Sequence, residues 1–545
     1  MNSNQEAQPR RIAGGQSIEL DATRKDIMKK FLNFVRTHPS ALYWFLIPLL
    51  IWGTGIVSDD LDEIRRIGSG WNWNWLLPTA YIDRPVLHYS HIIWYKIFTF
   101  DSVWVFDLVK IGYLLFSLYC MARFLTLFFS LSVAWFASFL FLFYPSHDAT
   151  TYFYLGQYLT LSFAFYGIAY VKAAEDKFVV AGLLALLGSF VSYGSTPVAI
   201  AFSFLFVLHC RYRAALVLAV PNVLYIAYYY IVTVKFDRGT KRIPHELDIL
   251  ALGKYFILQI GTALDATVGP SFAFKVLASI GAISGLGVIL ALGFTLAGVV
   301  LSQSSQRPDA WSQKKLLLAL ALMTCISLGM FALTGHYPQL AFNLGNRITI
   351  YSALLASCIL ATVFQKSRFF TGFIALLLLL VSFGLTEHWR NWQETQRGML
   401  VEIREMDRRG EFSGEYPIFV TGLRYSRLGR FDHIEGISER SVANSTFELA
   451  TGKSFSPIPL SRAMRVRGGE LVDTKYGSVT PLPATVRLVD LEKGSVTLLT
   501  RAQLADRILA LPPDRRHWIQ LIDSSLLRAL VLFLMPRLGY AFETE

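Results

Sequence analysis

Ala41-Leu42-Tyr43-Trp44-Phe45-Leu46-Ile47-Pro48-Leu49-Leu50-Ile51-Trp52-Gly53-Thr54-Gly55-Ile56-Val57 runs without a charge straight into Ser58-Asp59-Asp60-Leu61-Asp62-Glu63-Ile64-Arg65-Arg66. A bilayer core of ~30 Å needs about 20 apolar residues in helix, so the first stretch reads as a membrane span. The acids that follow then stand where lipid meets water. The same apolar pattern recurs along the chain, near 103–121, 124–144, 151–171, 178–192, 196–210, 214–233, 271–301, 315–334, 348–365 and 369–386. Counted with 41–57, that predicts about eleven spans. Composition agrees: 53% of the 545 residues are hydrophobic and only 17% charged, with mean hydropathy +0.42. An ordinary soluble protein carries about 25% charge. A soluble single core, a disordered chain and a disulfide-rich scaffold are thereby excluded.

The formal net charge of +12 would suggest nucleic acid in a soluble protein. Its placement gives it another meaning. Residues 387–545 are nearly balanced, so most of the surplus lies in the hydrophobic part. The N-terminal segment 1–40 carries Arg10, Arg11, Arg24, Lys25, Lys29, Lys30 and Arg36, without the short apolar core and cleavage site of a signal peptide. With that segment in the cytoplasm, the inner turns hold Arg123, Lys172, Lys177, Arg211, Arg213, Arg307, Lys314, Lys315, Lys366 and Arg368. The short outer loops 145–151, 192–197 and 335–347 hold Arg347 alone. This is the positive-inside pattern.

Three expectations follow. Loops 58–102 and 234–270 face out, and an odd number of spans exports everything after a boundary near Thr386. The region 387–545 reads as a small soluble α/β domain. Its strands fall at 417–422 and 485–490, and its helices at 500–511 and 524–534. The last apolar run, 526–535, is too short to span and reads as packed core or an interfacial helix. Cys120, Cys210, Cys325 and Cys358 all fall in or beside spans, so no disulfide framework is implied.

Four carboxylates directly after a span repel one another and are partly buried, which raises the pKa of at least one. They suit a proton acceptor, or a hard cation shared by Asp60 and Asp62. A helix-starting acidic cap, favoured by the helix dipole, is the plainer alternative. Farther on, Gly70-Trp71-Asn72-Trp73-Asn74-Trp75-Leu76-Leu77-Pro78 supplies interfacial tryptophans. Tyr81-Ile82-Asp83-Arg84-Pro85-Val86-Leu87-His88-Tyr89 then offers Arg84, a guanidinium suited to a lipid-linked phosphate.

In this order the motifs resemble the GT-C superfamily of polytopic glycosyltransferases. The match is to the branch holding the lipid A aminoarabinose transferases and protein O-mannosyltransferases. That branch carries an acidic pair after its first span, then a Trp/Pro segment, then Tyr-x-acid-Lys-Pro-Pro-Leu. Asp59-Asp60, 73–78 and 81–87 fall in that order, with Arg84 for the usual Lys and Val86 for the second Pro. The resemblance implies a polytopic α-helical membrane protein of the inner (plasma) membrane, GT-C-like, with a C-terminal extracytoplasmic α/β domain. It implies transfer of a sugar from a polyprenyl-phosphate-linked donor to a cell-envelope acceptor, whether glycan, lipid or protein. No nucleic acid partner and no cofactor are implied, although a divalent cation (Mg or Mn) is compatible. Asp148, in Pro145-Ser146-His147-Asp148-Ala149, matches a second acid that this family often places in its next outer loop.

Other readings stay beside these. Asp148 also suits a helix N-cap, and His147 a surface contact. Arg347 stands against the topology bias, so either it meets a phosphate or it snorkels to headgroups. His336 lies in the same loop. Lys235, Arg238, Lys241 and Arg242 form a second basic group for a phosphate or for membrane lipids. His88 and His91 sit one helical turn apart but lack a third metal ligand.

The mechanism expected from these residues is inverting transfer. Asp59, or Asp60, takes the proton of the acceptor hydroxyl, and Arg84 and Arg347 receive the departing phosphate. Asp62, Glu63, Tyr81 and His88 are further loop candidates for donor or acceptor contact. Two rivals make different demands. A transporter or flippase would bury charge at mid-membrane. An O-antigen-type ligase or polymerase would place its key basic groups in one large late outer loop.

Overall fold

The computed structural model describes residues 40–68, 81–97, 103–236, 248–301, 311–334, 339–364, 367–414, 416–473, 478–521 and 524–534. The N-terminal segment, the tryptophan stretch 70–78, and Arg238, Lys241, Arg242 and His336 lie outside them. The described chain is mostly helical, with a β-region at its C-terminal end.

Among the described residues, six helices are long and apolar enough to cross a membrane: Val103–Leu125, Tyr212–Lys235, Ile249–Ala282, Gln313–Thr334, Leu344–Val363 and Phe369–Arg408. That is fewer than the expected eleven. The shortfall has a physical source, because apolar helices such as Ser40–Ile51, Phe178–Val191 and Gly285–Val299 have only 10–17 residues each. The first expected span, 41–57, shows how this arises. Helix α1, Ser40–Ile51, stops early, and Gly53 (φ +86°) and Gly55 (φ +59°) turn the chain out of it. Gly55 admits no side chain, since a Cβ there would lie 2.3 Å from Gln393.

Hydrogen bonds sort the helix ends into two groups. At one end meet the exit of α1, the start of α4 (Val103–Leu125), the turn at 142–157 and the entry of the long helix near Thr386. Gly53 and Gly55 donate to Asp107 at 2.9 Å, Thr151 donates to the Leu142 carbonyl, and Thr386 donates to the Leu50 carbonyl. At the other end, Gln313 donates to the Phe128 carbonyl, Lys315 to that of Leu208, and Arg211 to that of Ala174. Trp311 packs there against Phe128, Tyr170 and Phe206. The second end is therefore the one that gathers Lys172, Lys177, Arg211, Arg213 and Lys315. The C-terminal domain sits on the first.

The expected span 271–301 and the expected loop 234–270 both need correction. The loop contains helix α10, Ile249–Thr267, capped by Asp248, whose carboxylate accepts from Leu250 and Ala251. The span is two helices, α11 (Pro270–Ala282) and α12 (Gly285–Leu301), broken at Ile283-Ser284. Ser284 donates to Glu387, beside Thr386, while Lys275 reaches Asp148. Both ends of α11 therefore stay at the domain end of the bundle.

No break occurs at Thr386. Helix α15, Arg368–Arg408, runs through it for 41 residues, about 60 Å at 1.5 Å per residue. Leu378, Leu379, Val381 and Leu385 pack in the bundle. Met399, Leu400, Ile403 and Met406 belong instead to the domain core, against Ile418, Val420, Phe447 and Val489. One rigid rod thus belongs to both parts.

The domain is α/β, as expected. Its central sheet has the order β4 (Ile458–Pro459), β1 (Ile418–Thr421), β8 (Thr485–Asp490), β9 (Ser495–Thr500), with β1 parallel to β4 and β8. The wholly buried β1 suits a sheet covered on both faces. A hairpin of β2 (Tyr425–Leu428) and β3 (Phe431–Glu435) leaves this sheet, and its Leu428, Phe431 and Ile434 enter the core of the bundle. Phe431 stacks on Phe342 at 4.4 Å. Strands β5 (Met464–Arg467), β6 (Glu470–Asp473) and β7 (Ser478–Pro481) form a separate antiparallel sheet. Helices α16 (Arg440–Thr451), α17 (Arg501–Leu509) and α18 (Ser525–Leu534) complete the domain, α17 starting with a full capping box at Thr500 and Gln503.

Candidate functional site

Helix α2, Asp59–Gly68, begins immediately after the glycine elbow, and Ser58 enters it at φ +51°. The elbow is fixed by an ion pair inside α4. Lys110 lies 3.0 Å from Asp107 and donates to Thr54 (2.6 Å) and the Gly55 carbonyl (2.5 Å). Asp107 accepts the two glycine N–H groups already named. Both charges are buried, and each is matched by the other and by backbone. Sequence reasoning passed over this pair, although two opposite charges an i,i+3 step apart inside a predicted span were a signal.

The four acids of α2 take different roles because a helix advances 100° per residue. Asp60 is fully buried; its carboxylate accepts from Tyr95 (3.1 Å) and from the Val57 N–H (3.2 Å). Burial, only partly offset by the Val57 N–H and Lys110, pushes its pKa up to about 8. Asp62 points to the opposite side. It accepts from Ser445 at 2.6 Å and pairs with Arg65 at 3.1 Å, which itself reaches Glu448. Two residues apart on a helix are roughly 200° apart, so Asp60 and Asp62 do not share a cation as the sequence reading allowed. Asp62 instead docks α16 of the domain onto α2. Glu63 accepts a 2.5 Å hydrogen bond from Tyr81.

Asp59 is left as the accessible acid. It is partly exposed and makes no hydrogen bond or ion pair of its own among the described residues. Burial raises its pKa, Arg347 opposes that rise, and Glu439, Glu63 and Asp62 reinforce it. Arg347 stands on a single turn of helix, Leu344–Thr349, before α14 (Ile350–Phe364), and likewise makes no ion pair among the described residues. The domain contributes Glu435, at the end of β3, raised by burial and then by Asp59. Sequence reasoning missed Glu435, and no local motif could have found it. Among the described residues, no group of three or more ligand side chains is arranged to hold a metal ion.

Arg84 makes contacts of its own. Its guanidinium sits over Tyr81 (4.7 Å) and Tyr193 (5.2 Å), with Asp83 at 3.4 Å. Tyr225 and Tyr228 hold the carbonyls of Asp83 and Ile82. Asp83 pairs with the guanidinium, while the Arg84 Nε and both Asp83 oxygens are buried without a hydrogen bond among the described residues. His91 is buried among Tyr81, Tyr95, Tyr154 and Tyr158, and burial drives its pKa well down. His88 packs edge-on against Tyr89. Lys235 is exposed at the end of the π-turn Ile231–Lys235.

Asp148 does not cap a helix with its side chain, although it bonds to Asn346, the residue before Arg347. Fully buried, it pairs with Lys275 at 2.6 Å and accepts from Asn346 (2.5 Å), Trp389 (2.9 Å) and His433 (2.8 Å). The His433 Nδ1 accepts the Asn343 N–H, which assigns its proton to Nε2 and leaves the ring neutral. Burial would raise the Asp148 carboxyl, but Lys275 and His433 hold it well below the usual range. This cluster locks β3 and α15 to the bundle. His147, expected at the surface, is buried and bonded to Thr150 and the Phe141 carbonyl.

What the geometry brings together, then, is an accessible carboxylate with an elevated proton affinity and a guanidinium that makes no ion pair among the described residues, at the domain end of an apolar bundle. Compared with known proteins, the chain matches no family model, no curated protein and no solved structure.

Proposed function

We propose that this chain is a GT-C-type glycosyltransferase that takes a sugar from a polyprenyl-phosphate donor to a cell-envelope acceptor. The observation that carries the reading is Asp59, a half-buried carboxylate with no hydrogen bond among the described residues and within electrostatic reach of Arg347. In the proposed step the acceptor oxygen attacks the anomeric carbon, its proton passes to Asp59, and the carbon–phosphate oxygen bond breaks. The electron pair leaves on the phosphate, where Arg347 meets it. Arg84 holds the loop in place rather than the phosphate, because Asp83 already pairs with it. Asp60, fully buried, is not the base.

In this reading the five shorter apolar helices and Gln157–Ala174 also cross, at a bilayer thinned to fit, while Ile249–Ala282 (α10 and α11), one of the six long enough to cross, lies along the surface, which gives eleven crossings. The basic end of the bundle faces the cytoplasm of an inner (plasma) membrane, and the domain faces out. The buried Asp107–Lys110 and Asp148–Lys275 pairs favour a transferase over a flippase. Each is held by backbone or by several side chains, so neither is a charge poised to move.

The test is turnover of a radiolabelled polyprenyl-phosphate sugar in proteoliposomes without nucleotide. Asp59→Asn is expected to lose about 10²–10⁴-fold, the usual worth of general-base assistance, while Asp60→Asn retains activity. Undiminished transfer by Asp59→Asn overturns the assignment. Loss of turnover on adding a chelator would bring a divalent cation into the scheme.

A further inference from the structure

We propose that helix α18, Ser525–Leu534, lies flat in the lipid–water interface beside the bundle. The C-terminal domain is then held to the bilayer at its end as well as at its beginning, where α15 enters it. The helix is not part of the domain core: Leu526 is 81% exposed, Leu530 51% and Phe533 82%. These three fall at i, i+4 and i+7, one face of a helix, with Leu527 beside them. Ten residues make a rod of about 15 Å, half of what a ~30 Å hydrocarbon core demands, so the helix does not span.

Its height relative to the bundle identifies the occupant of that face. The segment just before it is bonded to the end of α10: Trp518 donates to Asp265 at 3.0 Å, and His517 pairs with the same carboxylate at 2.8 Å. Asp265 lies two residues before the end of α10, and Thr267 there meets Tyr144 and Ser352, the latter in the first turn of α14. This is the domain end of the apolar bundle, where a bilayer's surface falls. From Trp518 to Ser525 the chain covers at most about 25 Å fully extended, and the turn Trp518–Leu521 shortens that reach. The apolar face is therefore delivered beside the lipid belt that the bundle already presents. A short helix with one apolar face at that level is the geometry of an interfacial anchor. The inference does not depend on the proposed chemistry.

The experiment uses the full-length chain in proteoliposomes with Cys210→Ser and Cys325→Ser, because Cys120 and Cys358 are buried. A bimane label is placed at Leu530→Cys, Phe533→Cys or, on the opposite face of the helix, Arg528→Cys. Brominated lipids are expected to quench the first two several-fold more than the third, and aqueous iodide to do the reverse. Iodide quenching of all three alike would overturn the proposal. So would protection of positions 530 and 533 from both quenchers, since the face would then be covered by protein, such as a second copy of the chain.

Discussion

At Asp60 the consequence of burial can be read as a pH dependence. Its carboxyl titrates near 3.8 when exposed and near 8 in the folded chain. Between those values the folded state holds a proton that the unfolded state has lost, so stability falls as pH rises through this window. Below about 4 both states are protonated, and the contribution is complete. Asp60→Asn keeps an acceptor for the Val57 N–H and removes the titration. The melting temperature of the parent chain in detergent is expected to drop between pH 6 and 8, and that of Asp60→Asn to drop less. Parallel curves would show that Asp60 is ionised throughout. Arg347 makes a second case at this scale. As the partner of a departing phosphate, Arg347→Gln should lower turnover while leaving the unfolding free energy within about 0.5 kcal/mol of the parent, since it breaks no ion pair among the described residues. A large loss of stability instead would show that the guanidinium holds the fold.

The elbow between α1 and α2 is where an element's geometry rests on a buried pair. Removing one member leaves the other charge uncompensated, at a cost of about 3–5 kcal/mol, whereas removing both can be nearly neutral. Lys110→Met is therefore expected to melt well below the parent, and Asp107→Asn combined with Lys110→Met to recover much of the loss. A double variant no better than the singles would locate the effect in the glycine N–H groups that Asp107 accepts. The same elements show what sequence alone conveys. Apolar runs located the bundle, and strands 417–422 and 485–490 appear within a residue or two as Ile418–Thr421 and Thr485–Asp490. The break at Ile283-Ser284 was invisible because apolar and small residues continue across it, so hydropathy does not dip. Helix α10 was missed because the charged sequence before it masked an apolar stretch. Asp59 was legible from position alone, since it directly follows an apolar run. Its partners were not: Arg347 and Glu435 are hundreds of residues away, and only the packing of β3 against the bundle brings them near. Asp148 was singled out from its place in an outer turn, but its partners Lys275 and His433, 127 and 285 residues away, were not legible there.

The whole molecule is polarised, with basic turns at one end of the bundle and the C-terminal domain at the other. Orientation follows from this if positive charge stays in the cytoplasm. Cys210 is an internal reporter. It is exposed at the basic end, at φ +57°, in the turn between Leu208 and Tyr212. Cys325 is also exposed, but it lies mid-way along Gln313–Thr334, in the zone lipid would cover, where a thiolate is disfavoured. A membrane-impermeant maleimide applied to intact cells should leave both unlabelled and should reach Cys210 once the membrane is opened. Ser454, exposed on the domain, supplies the opposite report. Ser454→Cys is nearly isosteric and should label from outside without opening the membrane. Labelling of Cys210 from outside, with Ser454→Cys protected, would invert the molecule. It would also put Asp59 and Arg347 on the side where nucleotide sugars are available, removing the reason to expect a lipid-phosphate donor. The orientation thus decides which chemistry the Asp59–Arg347 pair can be asked to perform.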